Sequence, residues 1–187
     1  MGKLSVFNFM TLNGFYKGAR EDISWHKNNA GQEEGDYAAQ GAQSKSMLLF
    51  GRTTYEMMAG FWPTPAAMEY MPKVAEGMNK SEKIVFSTTL KKAGWNNTRI
   101  VRKNIGDEVV KLKKEGKIMT ILGSGTIVSQ LADANLIDEY QFMIDPVALR
   151  KGTPIFKGAS TDIELALIDS RVFKSGAVLL CYKPVRK

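Results

Sequence analysis

The chain has 187 residues, of which 44% are hydrophobic and 24% charged, the balance of an ordinary globular protein. This length suffices for one domain with a full core, and we predict a single domain over residues 1–187. No stretch reaches the roughly 18 consecutive apolar residues that a membrane span needs, so we expect no membrane partner. The first residues, MGKLSVFNFM, are typical of a core strand instead of a leader, which favours the cytoplasm.

The cysteine and histidine content and the net charge argue against three further kinds of feature: disulfides, metal sites and nucleic-acid partners. The single cysteine, Cys181, lies in an apolar run, and the single histidine, His26, has no histidine or cysteine near it in sequence. A disulfide framework is therefore excluded, and we expect no metal site. The net charge of +7 comes from 26 Lys and Arg against 19 Asp and Glu. Because the basic residues are spread in ones and twos, we expect a solvated basic surface and no nucleic-acid partner.

The first half of the chain alternates strand-like and helix-like patterns. KLSVFNFM is a predicted strand that ends at the turn signal Asn13-Gly14. A long loop from Phe15 to about Gly31 should enter a helix near Asp22, and a second helix should follow over residues 33–44. SMLLF is the next strand, and a helix should begin in the following FGRTTYE, where Thr53 and Glu56 have capping-box spacing.

The second half continues the alternation. Prolines at 63, 65 and 72 should divide the helical region that follows. EKIVFSTTL, TRIVR, KIMTIL and DEYQFMIDPVAL read as strands, with a helix over NIGDEVVKLKKEG and another after the Gly-Ser-Gly loop at 123–125. IELALIDSRVF and AVLLCYKPV flank a hairpin turn at 174–176. The pattern predicts an α/β fold with a mostly parallel sheet and an antiparallel C-terminal hairpin.

The loop in ILGSGTIVSQL has two interpretations. A helix start at the carboxyl end of a strand offers unpaired amides and a positive dipole to an anion, and glycine lets the anion approach the backbone. A tight turn that binds nothing uses the same residues. Two further junctions, FGRTTYE and FSTTLKK, also end strands with donors such as Arg52 and Lys91 or Lys92. Three donor-rich strand ends favour a dinucleotide, although the Rossmann fingerprint is absent.

The chain as a whole resembles the dihydrofolate reductase-like superfamily, and within it the C-terminal reductase domain of bacterial riboflavin-biosynthesis enzymes. The resemblance rests on MTLNGFY, LLFGRTTYE, KIVFSTTL, the run from ILGSG to GTPIF, and the final hairpin. It implies a three-layer α/β/α fold and a cytoplasmic, often homodimeric, NADPH-dependent reductase. The substrate would be a small heterocyclic or carbonyl compound, and aminouracil reductase activity is an analogy.

The same resemblance assigns cofactor-binding residues. It places Gly51, Arg52, Thr53 and Thr54 near the cofactor phosphates, and Ser87 and Thr88 near the adenosine ribose and its 2′-phosphate. The loop would meet the pyrophosphate and nicotinamide, where relatives often have a cis peptide; its residues are Gly123, Ser124, Gly125, Thr126 and Ile127. Two alternatives stay open: Arg52 in a surface salt bridge, and the threonines as helix caps alone.

The catalytic group is the least defined part of the prediction. Hydride transfer to a C=N or C=O bond must be completed by a proton. Asp22, in EDISWHK, matches the substrate-binding carboxylate of dihydrofolate reductases, with helix capping as the alternative; Glu34 and Asp36 are weaker candidates. Relatives commonly have Ser-Leu-Asp-Gly after the first strand, where this chain has Thr-Leu-Asn-Gly. The lost carboxylate keeps a second hypothesis open, a nucleotide-binding protein without turnover.

Overall fold

A computed structural model of the protein describes residues 1–27 and 31–186. The strands are β1 (Lys3–Thr11), β2 (Phe15–Gly18), β3 (Met47–Gly51), β4 (Lys83–Phe86), β5 (Thr98–Val101), β6 (Ile118–Leu122), β7 (Glu139–Asp145), β8 (Gly152–Pro154), β9 (Leu165–Val172) and β10 (Val178–Pro184). The helices are α1 (Ser24–Lys27), α2 (Gln32–Gln43), α3 (Arg52–Phe61), α4 (Pro65–Tyr70), α5 (Pro72–Lys80), α6 (Ile105–Lys114) and α7 (Gly125–Asp133). A 3₁₀ turn covers Ala19–Glu21.

Eight strands form one sheet in the order β5-β4-β3-β6-β1-β7-β10-β9. The six strands from β5 to β7 are parallel, whereas β10 runs antiparallel to both β7 and β9. Strands β3 and β4 are short apolar runs buried on both faces, as expected for parallel strands that helices cover on either side. The predicted parallel sheet with an antiparallel C-terminal hairpin is therefore confirmed.

Helices cover both faces of the sheet and make a three-layer α/β/α structure, as predicted. On one face, Ala39 of α2, Tyr55 of α3 and Val74 of α5 pack against Phe50 and Val85 of the sheet. On the other face, α6 and α7 contribute apolar side chains to a larger core with β1, β6 and β7. Helices α3 and α7 therefore lie on opposite faces of the sheet. Both begin where parallel strands end, on the side that we call the carboxyl edge of the sheet.

Several predicted boundaries differ from the structure. The strand expected over EKIVFSTTL ends at Phe86, because the Ser87 hydroxyl accepts hydrogen bonds from the amides of Thr89 and Leu90 and turns the chain. The expected loop after Gly14 instead contains β2, which pairs with the distant β8 in a separate two-stranded sheet. Part of that loop, residues 28–30, lies outside the described residues.

The predicted capping box at the start of α3 is wrong. The N-cap is Gly51, so Thr53 is the second residue of the helix and not its cap. Glu56 does not reach back to a backbone amide in the described contacts; its carboxylate accepts from Arg52 Nε at 2.9 Å. The arginine one turn earlier therefore takes the carboxylate that the box would have used.

Lys83, the lysine whose pKa is shifted most, lies away from the carboxyl edge of the sheet. Lys83 begins β4 at its amino end, is 1% exposed, and donates to the carbonyls of Met78, Asn79 and Ser81. Burial lowers the pKa of Lys83 to about 8. Its three carbonyl partners at the end of α5 and the Trp95 ring, 4.6 Å away, favour the charged form. Lys83 therefore joins α5 to the sheet and has a structural role.

Two kinds of feature are absent from residues 1–27 and 31–186. No helix there is long and apolar enough to cross a bilayer. No group of three or more His, Cys, Asp or Glu side chains in the same ranges is placed to share a metal ion.

Candidate cofactor and substrate site

Strands β1 and β6 stop pairing at the carboxyl edge of the sheet, and we refer to the place where they part as the crevice. Their last paired residues are Phe7 and Leu122. Residues 8–11 continue along β7 as far as the pair of Thr11 with Asp145. β6 has by then turned into α7. Ligands of open α/β sheets bind at such strand ends, so we place the candidate site here.

Two strand-to-helix junctions meet on one side of this crevice. The Gly51 amide, at the end of β3, donates to the Ser124 hydroxyl at 2.7 Å. Gly123 has a φ of +61°, and a Cβ built there would lie 3.0 Å from Thr54 Cγ2. Neither α3 nor α7 has a side-chain N-cap hydrogen bond. The contact therefore brings two uncapped helix starts together.

The glycine loop itself is a closely packed turn. The peptide between Gly123 and Ser124 is trans. The first amide of α7, at Gly125, is directed to the Tyr16 hydroxyl at 3.3 Å, and the Ile127 amide donates to the Ser124 carbonyl at 2.8 Å. A Cβ at Gly125 would approach the Ile155 carbonyl to 3.1 Å. Packing within the protein thus explains the loop glycines, and two of the amides expected to bind phosphate have protein partners.

The start of α3 is the more open of the two helix ends. Its N-cap, Gly51, carries no side chain, and the amides of Arg52, Thr53 and Thr54 form its first turn. The first-turn amides of an α-helix have no acceptor within the helix. Arg52 and Thr53 are exposed. An anion at this edge would meet backbone donors, the helix dipole and a guanidinium group together.

Two arginines flank the turn that follows β4. Arg52 Nη1 donates to the Thr89 hydroxyl at 2.8 Å, and Arg102 Nη1 contacts the Thr88 carbonyl at 3.4 Å. Both arginines are exposed. The surface salt bridge considered for Arg52 is also present, with Glu56; exposed pairs of this kind contribute only about 0–1 kcal/mol. Sequence analysis missed Arg102, which follows a short strand and belongs to no motif.

A buried amide lies on β1 where this strand parts from β6. Asn8 is the first β1 residue beyond the last pair with β6, and it is 4% exposed. Its Nδ2 atom has no hydrogen-bond partner among the residues the structure describes. A buried amide left unpaired costs about 1–3 kcal/mol. A carbonyl acceptor brought to this atom, such as that of a carboxamide, would satisfy it.

Asp22 lies at the start of α1 and lines an open cleft of about 400 Å³ with Leu149 and Arg150. Its carboxylate is exposed and accepts from the Ser24 amide at 2.9 Å, a contact across two residues that closes a local turn just before α1. That hydrogen bond lowers the pKa of Asp22. At neutral pH the group is therefore ionised, and a proton-donating role has no support in its contacts.

Residues 3–179 match the RibD C-terminal domain family. The fold is similar to a Shewanella sp. PV-4 protein assigned to riboflavin biosynthesis (TM-score 0.77, 20% identity, 98% of this chain and 99% of that chain). It is also similar to the diaminohydroxyphosphoribosylaminopyrimidine deaminase/5-amino-6-(5-phosphoribosylamino)uracil reductase of Thermotoga maritima. The TM-score of this pair is 0.68 and the identity is 13%, over 98% of this chain and 57% of that chain. A third similar structure is Enterococcus faecalis dihydrofolate reductase complexed with NADP(H) and RAB-propyl (TM-score 0.64, 12% identity, 98% of this chain and 96% of that chain). At these identities the structural likeness shows a shared fold.

The packing of the loop against α3 predicts the effect of a methyl group at Gly123. Gly123→Ala should cost about 1 kcal/mol more stability than Gly116→Ala in urea unfolding. Both glycines have positive φ, +61° and +77°, but a Cβ at Gly116 meets nothing within 4 Å. Gly116→Ala thus measures backbone strain alone. Adding Thr54→Ala to Gly123→Ala should recover the difference, whereas equal losses at both glycines would contradict the close contact.

Proposed function

The chain belongs to the RibD C-terminal domain family, and we propose that it is an NADPH-dependent reductase of a small heterocyclic or carbonyl substrate. The observation that carries the proposal is the uncapped start of α3 beside Arg52 and Arg102 at the carboxyl edge. Such a concentration of donors suits a ligand with several phosphate charges. We further propose that residues 1–187 form one reductase domain that acts in the cytoplasm.

The proposed cofactor extends along the carboxyl edge. Its pyrophosphate would lie over the meeting helix starts, with the amides of Arg52–Thr54 as the main donors. Gly51 and residues Gly123–Ile127 form the surface beneath it, with the exposed Thr126 at the rim. The 2′-phosphate and ribose would meet Ser87 and Thr88, between the two arginines. Guanidinium groups suit this position because they bind phosphate through two parallel hydrogen bonds.

The chemistry follows from the position of the crevice. When bound, NADPH would supply a hydride to the carbon of a C=N or C=O bond. The edge of β1 over residues 8–11 would form one wall of the nicotinamide and substrate site. The family resemblance extends to Asp22, whose role in catalysis stays a prediction; its contacts suit an anchor for α1.

Arg52→Ala should weaken NADPH binding roughly tenfold to hundredfold and leave NADH binding nearly unchanged. The reason is that charge-assisted hydrogen bonds contribute about 1.5–3 kcal/mol each and only NADPH carries the 2′-phosphate. Fluorescence titration of the reduced nicotinamide gives both dissociation constants.

Arg99→Ala is the matched control for that titration. Arg99 is also an exposed arginine paired with a glutamate, Glu108, at 2.6 Å, but it lies within β5 and not at the carboxyl edge. We expect wild-type binding of both cofactors. Equal weakening of NADPH and NADH by Arg52→Ala would contradict recognition of the 2′-phosphate, and NADPH binding without turnover of any substrate would favour the non-catalytic alternative.

We also propose a homodimer that pairs through the β9 edge of the sheet. β7 lies inside the sheet between β1 and β10, so both of its edges are paired. On β9, Leu167, Ile168 and Val172 are 55%, 47% and 74% exposed. An edge strand with exposed apolar side chains is suited to a second copy of the chain.

Val172→Lys should convert the dimer to a 20.8 kDa monomer in light scattering after gel filtration, because a buried ammonium would have no partner at the interface. Met68→Lys, at an exposed apolar side chain on α4, should leave the dimer intact. A monomeric wild type, or a dimer that survives Val172→Lys, would rule out this interface.

A further inference from the structure

The only histidine of the sequence pairs with a buried aspartate beside the crevice. His26 Nδ1 lies 2.9 Å from Asp145 Oδ2, and the two side chains are 18% and 2% exposed. Asp145 ends β7 opposite Thr11, the last residue of β1. The imidazole stacks on Phe9, with ring centroids 3.5 Å apart and an interplanar angle of 24°. The pair therefore lies on the stretch of β1 that extends past β6.

The geometry points to His26 as the proton donor of the proposed reductase, with Asp145 as its positioning residue. This inference rests on the proposed function, because it assigns the proton that hydride transfer requires. The neighbouring carboxyl groups fit the role less well. Asp22 is exposed and ionised, and Glu34, 3% exposed, is already bonded to the Ser175 hydroxyl.

The contacts of His26 fix the ring and leave one nitrogen for substrate. Because Nδ1 bonds to the carboxylate and the ring face lies on Phe9, both tilt and rotation are constrained. Nε2 has no hydrogen-bond partner among the side chains of residues 1–26 and 31–186 or the backbone that the structure describes. An imidazole can both give and take a proton near neutral pH, and a carboxylate on its other nitrogen holds the ring in one orientation.

The proposed step balances in atoms and charge. The hydride adds with its electron pair to the carbon of the C=N or C=O bond, which oxidises the cofactor to NADP⁺. The π electrons move to the nitrogen or oxygen, and this atom takes the proton from His26 Nε2. The substrate is thereby reduced by two electrons and gains two hydrogens. The neutral imidazole recovers its proton from water, to which the side chain is partly exposed.

Three variants separate a chemical role from a structural one. His26→Phe keeps an aromatic ring on Phe9 but has no proton to give, so kcat should fall about 100-fold or more, the range for loss of a general acid. His26→Ala should lose a similar factor and regain activity when imidazole is added. Asp145→Asn keeps the shape of the pair but removes its charge, so kcat should fall while NADPH binding is retained.

The assay uses full-length protein, NADPH, and two probes taken from the similar structures, 5-amino-6-(5-phosphoribosylamino)uracil and dihydrofolate. NADPH titration of each variant shows whether the fold and cofactor site are intact. Loss of kcat in His26→Phe with normal NADPH binding, together with imidazole rescue of His26→Ala, supports the inference. If His26→Phe turns over substrate as fast as the wild type, the inference about His26 is overturned and the reductase proposal still stands. If the wild type oxidises no NADPH with either probe, both the reductase proposal and the His26 inference are overturned for these substrate classes.

Discussion

The hydrogen bond from the Gly51 amide to the Ser124 hydroxyl is the contact on which the candidate site depends. It joins the ends of two parallel strands, β3 and β6, whose following helices lie on opposite faces of the sheet. From these adjacent strand ends, α3 and α7 lead into the two opposite helix layers. With this hydrogen bond, two positive helix ends meet at one edge, next to the place where β1 leaves β6.

This contact also changes the meaning of the glycine loop. The sequence suggested that glycines 123 and 125 let a phosphate approach the backbone. In the structure they let Thr54 and Tyr16 approach instead, and the Gly125 and Ile127 amides have protein partners. We therefore propose that phosphate binding takes place nearer α3 and the two arginines than at the loop. The loop supplies the rigid support that keeps the α3 start at the crevice.

The strand–helix alternation predicted the sheet, its antiparallel hairpin and the α3 junction, because each of these is encoded in a continuous stretch. Arg52 could be found for the same reason. Arg102 and the His26–Asp145 pair could not, since they acquire their positions only through the order of strands; His26 and Asp145 are 119 residues apart. The capping box failed because Arg52, four residues before Glu56, competes for its carboxylate.

The measurement that tests the central claim most directly is thermal unfolding of the protein with saturating NADPH, with NADH, and without ligand. A ligand at about a hundred times its dissociation constant adds roughly 2.7 kcal/mol of stability, or about 5–10 °C for a chain of this size. The proposed site predicts that shift with NADPH and a much smaller one with NADH at the same concentration. No shift with either cofactor, or equal shifts with both, would contradict a phosphate-binding edge built from α3 and its two arginines.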